Sequence, residues 1–154
     1  PEPLLTEVPK LLGIDGRKMS KSYDNSIFMS DTGETLQKKV AAMFTDPQRQ
    51  RRRDPGRPEL CNVFTFHQLY TKQEKTGEIE TECRRAGIGC TDCKRLLGEN
   101  IQTAMRPLHE RQDYYRHHLR EVRDIIAGGD ARARSVAEQT MTEVRDAMKI
   151  SYGL

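Results

Sequence analysis

Apolar residues recur three or four positions apart along most of the chain after residue 30, and this spacing predicts a series of amphipathic helices. The first apolar stripe consists of Leu36, Val40, Met43 and Phe44. Asp31 with Glu34 is typical of a capping box, and Asp46-Pro47 is expected to end the helix. We therefore predict a first helix between these two signals, with one buried face.

A broader apolar stripe follows and predicts a central helix that is buried on more than one face. Its members are Leu60, Val63, Phe64, Phe66, Leu69 and Tyr70. Pro58 is suited to the first position of this helix, because its fixed φ matches a helix start, and Gly77 is suited to its end. A short helix from about Glu78 to Ala86 is expected next, closed by Gly87-Ile88-Gly89.

The remaining stripes predict a long helical region and a final helix. The long region carries on one face Ile101, Ala104, Leu108, Tyr115, Leu119, Val122 and Ile126. Thr91 is expected to cap this region, Pro107 to kink it and Gly128-Gly129 to break it. Asp130 then begins a last helix, whose apolar face consists of Val136, Ala137, Met141, Val144 and Met148. We predict an all-α fold, an antiparallel bundle of about five helices.

Residues 1–29 differ from the helical part. Pro, Gly and Ser occur there at irregular intervals without a helical period, which predicts loops and short strand at the rim of a domain whose core lies elsewhere. We place a domain boundary between residues 29 and 30, with a helical domain at residues 30–154. The chain opens on Pro1 rather than on Met, in a sequence typical of the middle of a folded chain, so we expect a piece of a longer protein.

The composition fits helices around a modest core, since 35% of the residues are hydrophobic and 32% are charged. The first residues lack the basic and apolar regions of a signal peptide, and no apolar run approaches the roughly 18 residues that span a bilayer. We therefore expect a cytoplasmic protein without a membrane partner. Because the net charge is only +3, nucleic-acid binding depends on where the basic residues cluster.

The most informative segment for function is Lys18-Met19-Ser20-Lys21-Ser22. Its two lysines and its hydroxyl groups, on a loop that also contains Gly13 and Gly16, can close on a polyphosphate as mobile point charges. Negative charge that develops on a leaving pyrophosphate would then be stabilised in the transition state. A solvated surface loop is the alternative for a generic Lys/Ser stretch.

This segment resembles the KMSKS signature of class I aminoacyl-tRNA synthetases. Its flanks, with Gly13, Asp15-Gly16, Asn25 and Ile27, are similar to the tryptophanyl members of that family. The resemblance implies that Lys18 and Lys21 act in catalysis. It also implies an ATP-binding set of Lys18, Met19, Ser20, Lys21 and Ser22.

The same resemblance implies the reaction of the parent protein, a tryptophan–tRNA ligase that acts as a homodimer. Tryptophan and ATP, with Mg²⁺, would give tryptophanyl-adenylate and pyrophosphate, and the tryptophan would pass to tRNA(Trp). Residues 1–29 would be the end of a Rossmann-type catalytic domain. The second ATP signature, a HIGH-like motif, and the tryptophan pocket would lie outside this chain, so we expect the chain alone to be inactive.

Four cysteines, spaced C-x21-C-x6-C-x2-C, are candidates for metal ligation, since a reducing compartment disfavours disulfides. They are Cys61, Cys83, Cys90 and Cys93. Scattered buried thiols are the alternative, and the ligand type leaves zinc and an iron–sulfur cluster both open. The resemblance implies a structural [4Fe-4S] cluster near the anticodon-binding surface, because some bacterial tryptophanyl members have a closely similar cysteine pattern.

Basic residues flank the cysteines and form a second patch before the central helix. Arginine pairs with phosphates and stacks on unpaired bases, the two contacts needed to hold an anticodon loop. We predict contacts with the anticodon stem-loop of tRNA(Trp), with plain solubility as the alternative for any one residue. The predicted set is Arg84, Arg85 and Lys94, then Arg49 and Arg51 of the run that ends at Arg53.

Two other functional classes stay open. One is a non-catalytic tRNA-binding module derived from a synthetase, and the other is a small zinc-binding structural domain in which the KMSKS-like loop is vestigial. An intact loop argues against the first class, and bound iron would exclude the second. The histidines, His67 and His109 among them, are expected to be surface or helix-packing residues, since adjacent ones such as His117-His118 point about 100° apart on a helix.

Overall fold

The computed structural model describes residues 2–5, 8 and 10–150. Within these ranges the chain forms five α-helices and no β-strand, so the predicted all-α class is confirmed. The helices are α1 (Gly33–Ala42), α2 (Asn62–Tyr70), α3 (Gln73–Arg84), α4 (Cys90–His117) and α5 (Leu119–Ala147). The chain divides into two compact units, Pro1–Pro107 and Leu108–Leu154. The predicted boundary between residues 29 and 30, which separates a catalytic part from a tRNA-binding part, stays a prediction.

The core of the first unit is built from side chains of α1, α2 and α4. Its buried members are Leu36, Val40, Met43, Val63, Phe66, Leu97 and Ile101. Each aliphatic side chain buried in this way contributes roughly 1.5–3 kcal/mol. The predicted buried faces are confirmed at all of these positions except Leu97, which the sequence did not predict, whereas Phe44, Leu60 and Leu69 of the predicted stripes are exposed.

The start of α1 differs from the prediction. Thr32 is the N-cap residue and no side chain caps the helix, so the capping box predicted for Asp31 and Glu34 is wrong. Asp31 Oδ2 instead accepts hydrogen bonds from the Phe28 backbone N–H and from Lys39 Nζ, both at 2.7 Å. The Asp31–Lys39 pair is largely shielded from solvent, with side-chain exposures of 10% and 19%. The carboxylate is therefore used to fix the turn that leads into α1.

The boundaries around α2 and α3 also differ in part. Pro58 does occupy the first position of a helical turn, but of a 3₁₀ turn, Pro58–Leu60, which precedes α2. Thr71 ends α2 with extended angles, φ −117° and ψ 143°. Gly77 lies inside α3, so its predicted role as a stop is wrong. A glycine within a helix costs only about 1 kcal/mol relative to alanine, which the rest of α3 can offset.

The turn predicted at Gly87-Ile88-Gly89 is confirmed, since these residues separate α3 from α4. The residue with left-handed backbone angles in this turn is Ala86, with φ 61°. Thr91, the predicted cap, lies inside α4, which begins at Cys90. Pro107 also lies inside α4, where the two units divide, and the kink predicted there stays a prediction.

The second unit contains the end of α4 and all of α5. The break predicted at Gly128-Gly129, with Asp130 as the next helix start, is wrong because α5 continues through it. A β-carbon at Gly129 would meet no atom within 4 Å, so no packing contact forces a turn there. The interruption falls instead at His118, with φ −120° and ψ 51°. No described residue of α5 is buried, and none of the described helices combines the length and apolar character needed to span a membrane.

Candidate nucleotide loop and cysteine site

A tight turn brings the two sides of the KMSKS-like loop together. The Gly13 N–H donates to the Arg17 carbonyl at 2.8 Å, and the Gly16 N–H donates to the Gly13 carbonyl at 3.0 Å. Gly16 has φ 79°, in the left-handed region that favours glycine. Leu12 and Lys18 then form an antiparallel bridge, which is all that the described residues contain of the predicted short strand.

Asn25 is the buried centre of the loop, with 2% exposure. Its Nδ2 donates to Asp15 Oδ1 at 2.8 Å and to the Lys18 carbonyl at 3.1 Å, and its Oδ1 accepts from the Ser20 N–H at 2.8 Å. One side chain therefore links both sides of the loop. A β-carbon at Gly13 would overlap the Asn25 amide, so this contact requires glycine.

Asp15 is paired within the loop. The Arg17 backbone N–H donates to Oδ1 at 3.0 Å, and Arg17 Nε donates to Oδ2 at 2.7 Å. The Arg17 backbone hydrogen bond, followed by that from Asn25, lowers the pKa of Asp15 from 3.8 to about 2. The Arg17 guanidinium also lies over the Tyr23 ring, 5.1 Å from its centroid. The acid and the arginine of this loop therefore neutralise each other.

The base of the loop is attached to the helices. The Phe44 N–H donates to the Ile14 carbonyl at 2.6 Å, and Asn62 Nδ2 of α2 donates to the Gly13 carbonyl at 3.0 Å. The side chains of Ile14 and Met19 are partly buried against the core of the first unit. Packing against the core therefore fixes the position of Met19.

Lys18 and Lys21, in contrast, are exposed. Neither ammonium group forms an ion pair or a hydrogen bond with any residue in the described ranges. The Ser20 and Ser22 hydroxyl oxygens lie 2.8 Å apart, close enough for one to donate to the other. The segment therefore offers two unpaired cations and two hydroxyls on a loop whose base is fixed, an arrangement able to bind phosphate oxygens.

The four cysteines lie at helix ends of the first unit. Cys61 is the N-cap residue of α2, Cys83 lies in the last turn of α3, and Cys90 and Cys93 lie in the first turn of α4. All four are partly buried free thiols. Burial raises the pKa of the Cys61, Cys83 and Cys93 thiols, that of Cys93 to about 12. Repulsion from the other three cysteines adds to the pKa shift of Cys93.

These thiols do not form a compact site for a single ion. Among the residues that the structure describes, no group of three or more His, Cys, Asp or Glu side chains is placed to ligate one metal ion. A tetrahedral zinc site, with Zn–S bonds of about 2.3 Å, needs sulfurs roughly 3.8 Å apart. The described side chains therefore give no support to a preformed metal site, whether of zinc or of iron, and metal ligation by the cysteines stays a prediction.

Two basic side chains contact cysteine sulfurs. Arg49 Nη1 donates to Cys83 Sγ at 3.5 Å, and His67 Nε2 lies 3.4 Å from Cys93 Sγ and 3.2 Å from the Cys93 carbonyl oxygen. His67 is fully buried, and burial lowers its pKa. The sequence predicted a surface or packing role for His67 and missed its contact with Cys93. The available signal was its position four residues after Val63, on the buried face of α2.

The predicted RNA contacts beside Cys83 are engaged in ion pairs. Arg84 pairs with Glu59 at 3.1 Å and with Glu80 at 2.9 Å. Arg85 pairs with Glu82. Both arginines remain half or more exposed, with side-chain exposures of 50% and 68%, so their pairs lie at the surface and are weak.

The other predicted RNA contacts differ from one another. Lys94 is partly buried, its Nζ donates to the Ala41 carbonyl at 2.7 Å, and burial lowers its pKa. Arg49 is partly buried and contacts Cys83, whereas Arg51 is exposed. Arg51 also lines a cleft of about 410 Å³ beside the start of α4. Among these residues, Arg51 is the one whose position best matches a surface contact.

Comparison with known proteins assigns the chain to a family. A family described as tRNA synthetases class I (W and Y) matches residues 1–106, more than half of the 154 residues. The matched region contains both the KMSKS-like loop and all four cysteines. The chain therefore belongs to this family of class I tRNA synthetases.

Within that class, the chain is similar to tryptophan–tRNA ligases. The protein of that name from Aquifex aeolicus is 46% identical over 151 residues, 97% of this chain and 38% of the relative. The Thermotoga maritima protein is 43% identical over 153 residues, 99% of this chain and 47% of the relative. The chain thus spans less than half the length of either relative.

Solved structures agree with this similarity. The tryptophanyl-tRNA synthetase of Campylobacter jejuni matches with a TM-score of 0.80 and 26% identity, over 91% of this chain and 45% of that chain. The same enzyme complexed with ADP and tryptophan matches with a TM-score of 0.81 and 26% identity, over 93% of this chain and 44% of that chain.

Proposed function

We propose that this chain is part of a tryptophan–tRNA ligase and carries its ATP-phosphate loop and a helical tRNA-binding region. The parent, a homodimer, would join tryptophan to tRNA(Trp) with ATP and Mg²⁺, through tryptophanyl-adenylate and release of pyrophosphate. Support comes from 46% and 43% identity to ligases of that name. Because the chain spans less than half of those proteins, we propose that it does not activate tryptophan by itself.

The observation that carries this proposal is the pair of exposed ammonium groups of Lys18 and Lys21, which have no partner in the described part of the chain, on a loop with a fixed base. Asn25 and the Asp15–Arg17 pair hold the base, and the two lysines are the cations of the loop that have no ion pair among the described residues. They would contact the phosphates of ATP and stabilise the charge that develops on the departing pyrophosphate. The Ser22 hydroxyl would donate a further hydrogen bond to phosphate oxygen.

The test of this role is Lys18→Ala and Lys21→Ala in the longer protein that contains this chain, with tryptophan-dependent pyrophosphate exchange as the assay. Each change should lower kcat by about 10²–10³, the usual loss when a transition-state charge contact is removed. The KM for tryptophan should change little. Lys38→Ala, at an exposed position of α1, is the matched control. Unchanged exchange in both loop variants, or exchange by the isolated chain, would contradict the proposal.

The helical region would bind the anticodon stem-loop. Arg51 and the cleft beside the start of α4 offer exposed arginine with polar neighbours, among them Gln50 and Thr91. The exposed Arg84 and Arg85 hold acidic partners on the surface, and RNA phosphates can replace such partners because surface ion pairs are worth little. The proposed surface therefore extends from the residue 51 loop to the end of α3.

The four cysteines would hold a structural [4Fe-4S] cluster. Four thiolates are a ligand set that such a cluster takes, and all four cysteines lie at helix ends of the first unit. The buried Nε of Arg49 has no hydrogen-bond partner in the described residues, which fits an additional acceptor in the site. When bound, the cluster supplies iron–thiolate bonds that tie the starts of α2 and α4 to the end of α3.

A further inference from the structure

Arg49 differs from the other arginines of its loop. Residues 51–53 are exposed, whereas Arg49 is partly buried and donates from Nη2 to the Ile88 carbonyl at 2.6 Å and to the Arg52 carbonyl at 3.2 Å. Its Nη1 donates to Cys83 Sγ at 3.5 Å. The guanidinium therefore joins the loop before α2 to the end of α3 and to the turn that follows it.

The third nitrogen of this guanidinium is unsatisfied. Nε is buried and has no hydrogen-bond partner among the described residues, and a buried donor without an acceptor costs free energy. Gly56 restricts the space around the same group: a β-carbon there would lie 3.2 Å from Arg49 Cδ and 2.5 Å from Cys83 Sγ. The backbone thus crowds Arg49 and Cys83 together, so the contact between them follows from how the loop packs.

We propose that Arg49 is a positioning residue for the group bound by the four cysteines, acting as a fixed counter-charge and hydrogen-bond donor. This inference rests on the proposed [4Fe-4S] cluster. Four thiolates make such a cluster an anion, and hydrogen bonds to the sulfurs together with local charge set its reduction potential. Donors around the ligands also contribute to how tightly the metal is held. Arg49 supplies both terms at Cys83, and its Nε is available to a further acceptor.

The test uses the 154-residue chain, reconstituted anaerobically with iron and sulfide. Arg49→Gln removes the charge, Arg49→Lys keeps the charge without the guanidinium, and Arg53→Gln removes a charge from an exposed position of the same loop. Iron loss to a chelator and the midpoint potential, from redox titration followed by electron paramagnetic resonance, are the two readouts. Circular dichroism checks that each variant folds.

Arg49→Gln should lose iron about 10-fold faster than the unmodified chain, as is usual when a group around metal ligands is removed. Its midpoint potential should fall, because the reduced cluster carries one more negative charge and loses more from removal of a cation. Arg49→Lys should keep the potential close to that of the unmodified chain while losing iron faster. Arg53→Gln should match the unmodified chain in both measurements.

Equal iron loss and equal potential in Arg49→Gln and Arg53→Gln would overturn the inference. In Arg49→Gln, faster iron loss with an unchanged midpoint potential would also overturn the inference, since that result describes loop support alone. If Arg49→Gln does not fold, the test rests on Arg49→Lys. Iron loss from Arg49→Lys at the rate of the unmodified chain would then overturn the inference. If the unmodified chain binds no iron and sulfide, the cluster proposal itself is overturned. If it binds them normally, and Arg49→Gln matches it in iron loss and midpoint potential, only the role of Arg49 is overturned.

Discussion

Replacing Asn25 by alanine removes the side chain that connects the two sides of the KMSKS-like loop. Asn25 is 2% exposed and forms hydrogen bonds with Asp15 at 2.8 Å, with the Lys18 carbonyl at 3.1 Å and with the Ser20 N–H at 2.8 Å. Each such bond contributes about 0.5–1.5 kcal/mol, so the loss of all of them amounts to roughly 1.5–4.5 kcal/mol. We expect Asn25→Ala to lower the free energy of unfolding within this range.

Asn25→Asp is a more severe change at the same position. An ionised aspartate only accepts hydrogen bonds, and its oxygens would face the Asp15 carboxylate and the Lys18 carbonyl. The low pKa of Asp15, about 2, keeps that carboxylate ionised at neutral pH. Asn25→Asp should therefore be less stable than Asn25→Ala at neutral pH. The difference should narrow on acidification, because protonation of the introduced carboxyl restores a donor.

Urea unfolding followed by circular dichroism measures these free energies, and native-state hydrogen exchange of the Ser20 N–H reports on the loop itself. Gln102→Ala, at an exposed position of α4, is the control and should stay within about 0.5 kcal/mol of the unmodified chain. The expected order of stability is Gln102→Ala, then Asn25→Ala, then Asn25→Asp. Equal stability of Asn25→Ala and Gln102→Ala, with unchanged exchange at Ser20, would refute the role assigned to Asn25.

Two further predictions concern the first unit. Gly56→Ala should lower the free energy of unfolding by about 1–3 kcal/mol and speed maleimide labelling of Cys83, because the added β-carbon would lie 2.5 Å from Cys83 Sγ. Gly77→Ala is the control, since its β-carbon would meet no neighbouring atom within 4 Å. It should raise the free energy of unfolding by about 1 kcal/mol. Asp46 accepts hydrogen bonds from Arg57 Nη2 at 2.6 Å and Nε at 2.9 Å, which hold the pKa of Asp46 well below its usual range. The contribution of Asp46 to stability is therefore present at neutral pH and is lost as the pH falls below about 4. The loss of unfolding free energy caused by Asp46→Asn, measured by urea unfolding, should therefore become smaller below that pH. A loss that stays constant down to pH 2 would contradict this origin.

In the first unit the sequence predicted helix faces better than helix ends, whereas the apolar stripe predicted for the last helix is exposed in α5. The apolar spacing at Leu36, Val40 and Ile101 depends on burial of one side of a helix, and all three are buried. Gly77 and Gly128-Gly129 were expected to end helices, yet both lie within them. A glycine disfavours a helix by only about 1 kcal/mol, so neighbouring residues and packing decide whether the helix continues. Those contributions are spread over many residues and leave no local sequence signal.

The functional residues also differ in how far the sequence predicts them. The KMSKS-like segment is contiguous, so Lys18 and Lys21 could be recognised from sequence, and their exposure agrees with the proposed phosphate role. Arg49 and Arg51, by comparison, look equivalent in a basic run. Only Arg49 contacts Cys83, which lies 34 positions away. A contact at that separation depends on how α3 packs against the loop, and a pattern of charges along the chain does not encode it.

The KMSKS-like loop and the cysteines pack against the same hydrophobic core. Ile14 and Met19 of the loop pack against the same core cluster as Cys61 and Cys93. Because that cluster has few buried members, stability lost at one site weakens the support of the other. If the cysteines hold the proposed cluster, its loss would weaken the common core and with it the base of the KMSKS-like loop. We therefore propose that such a cluster would act on the proposed phosphate-binding role of the loop through stability rather than through redox chemistry.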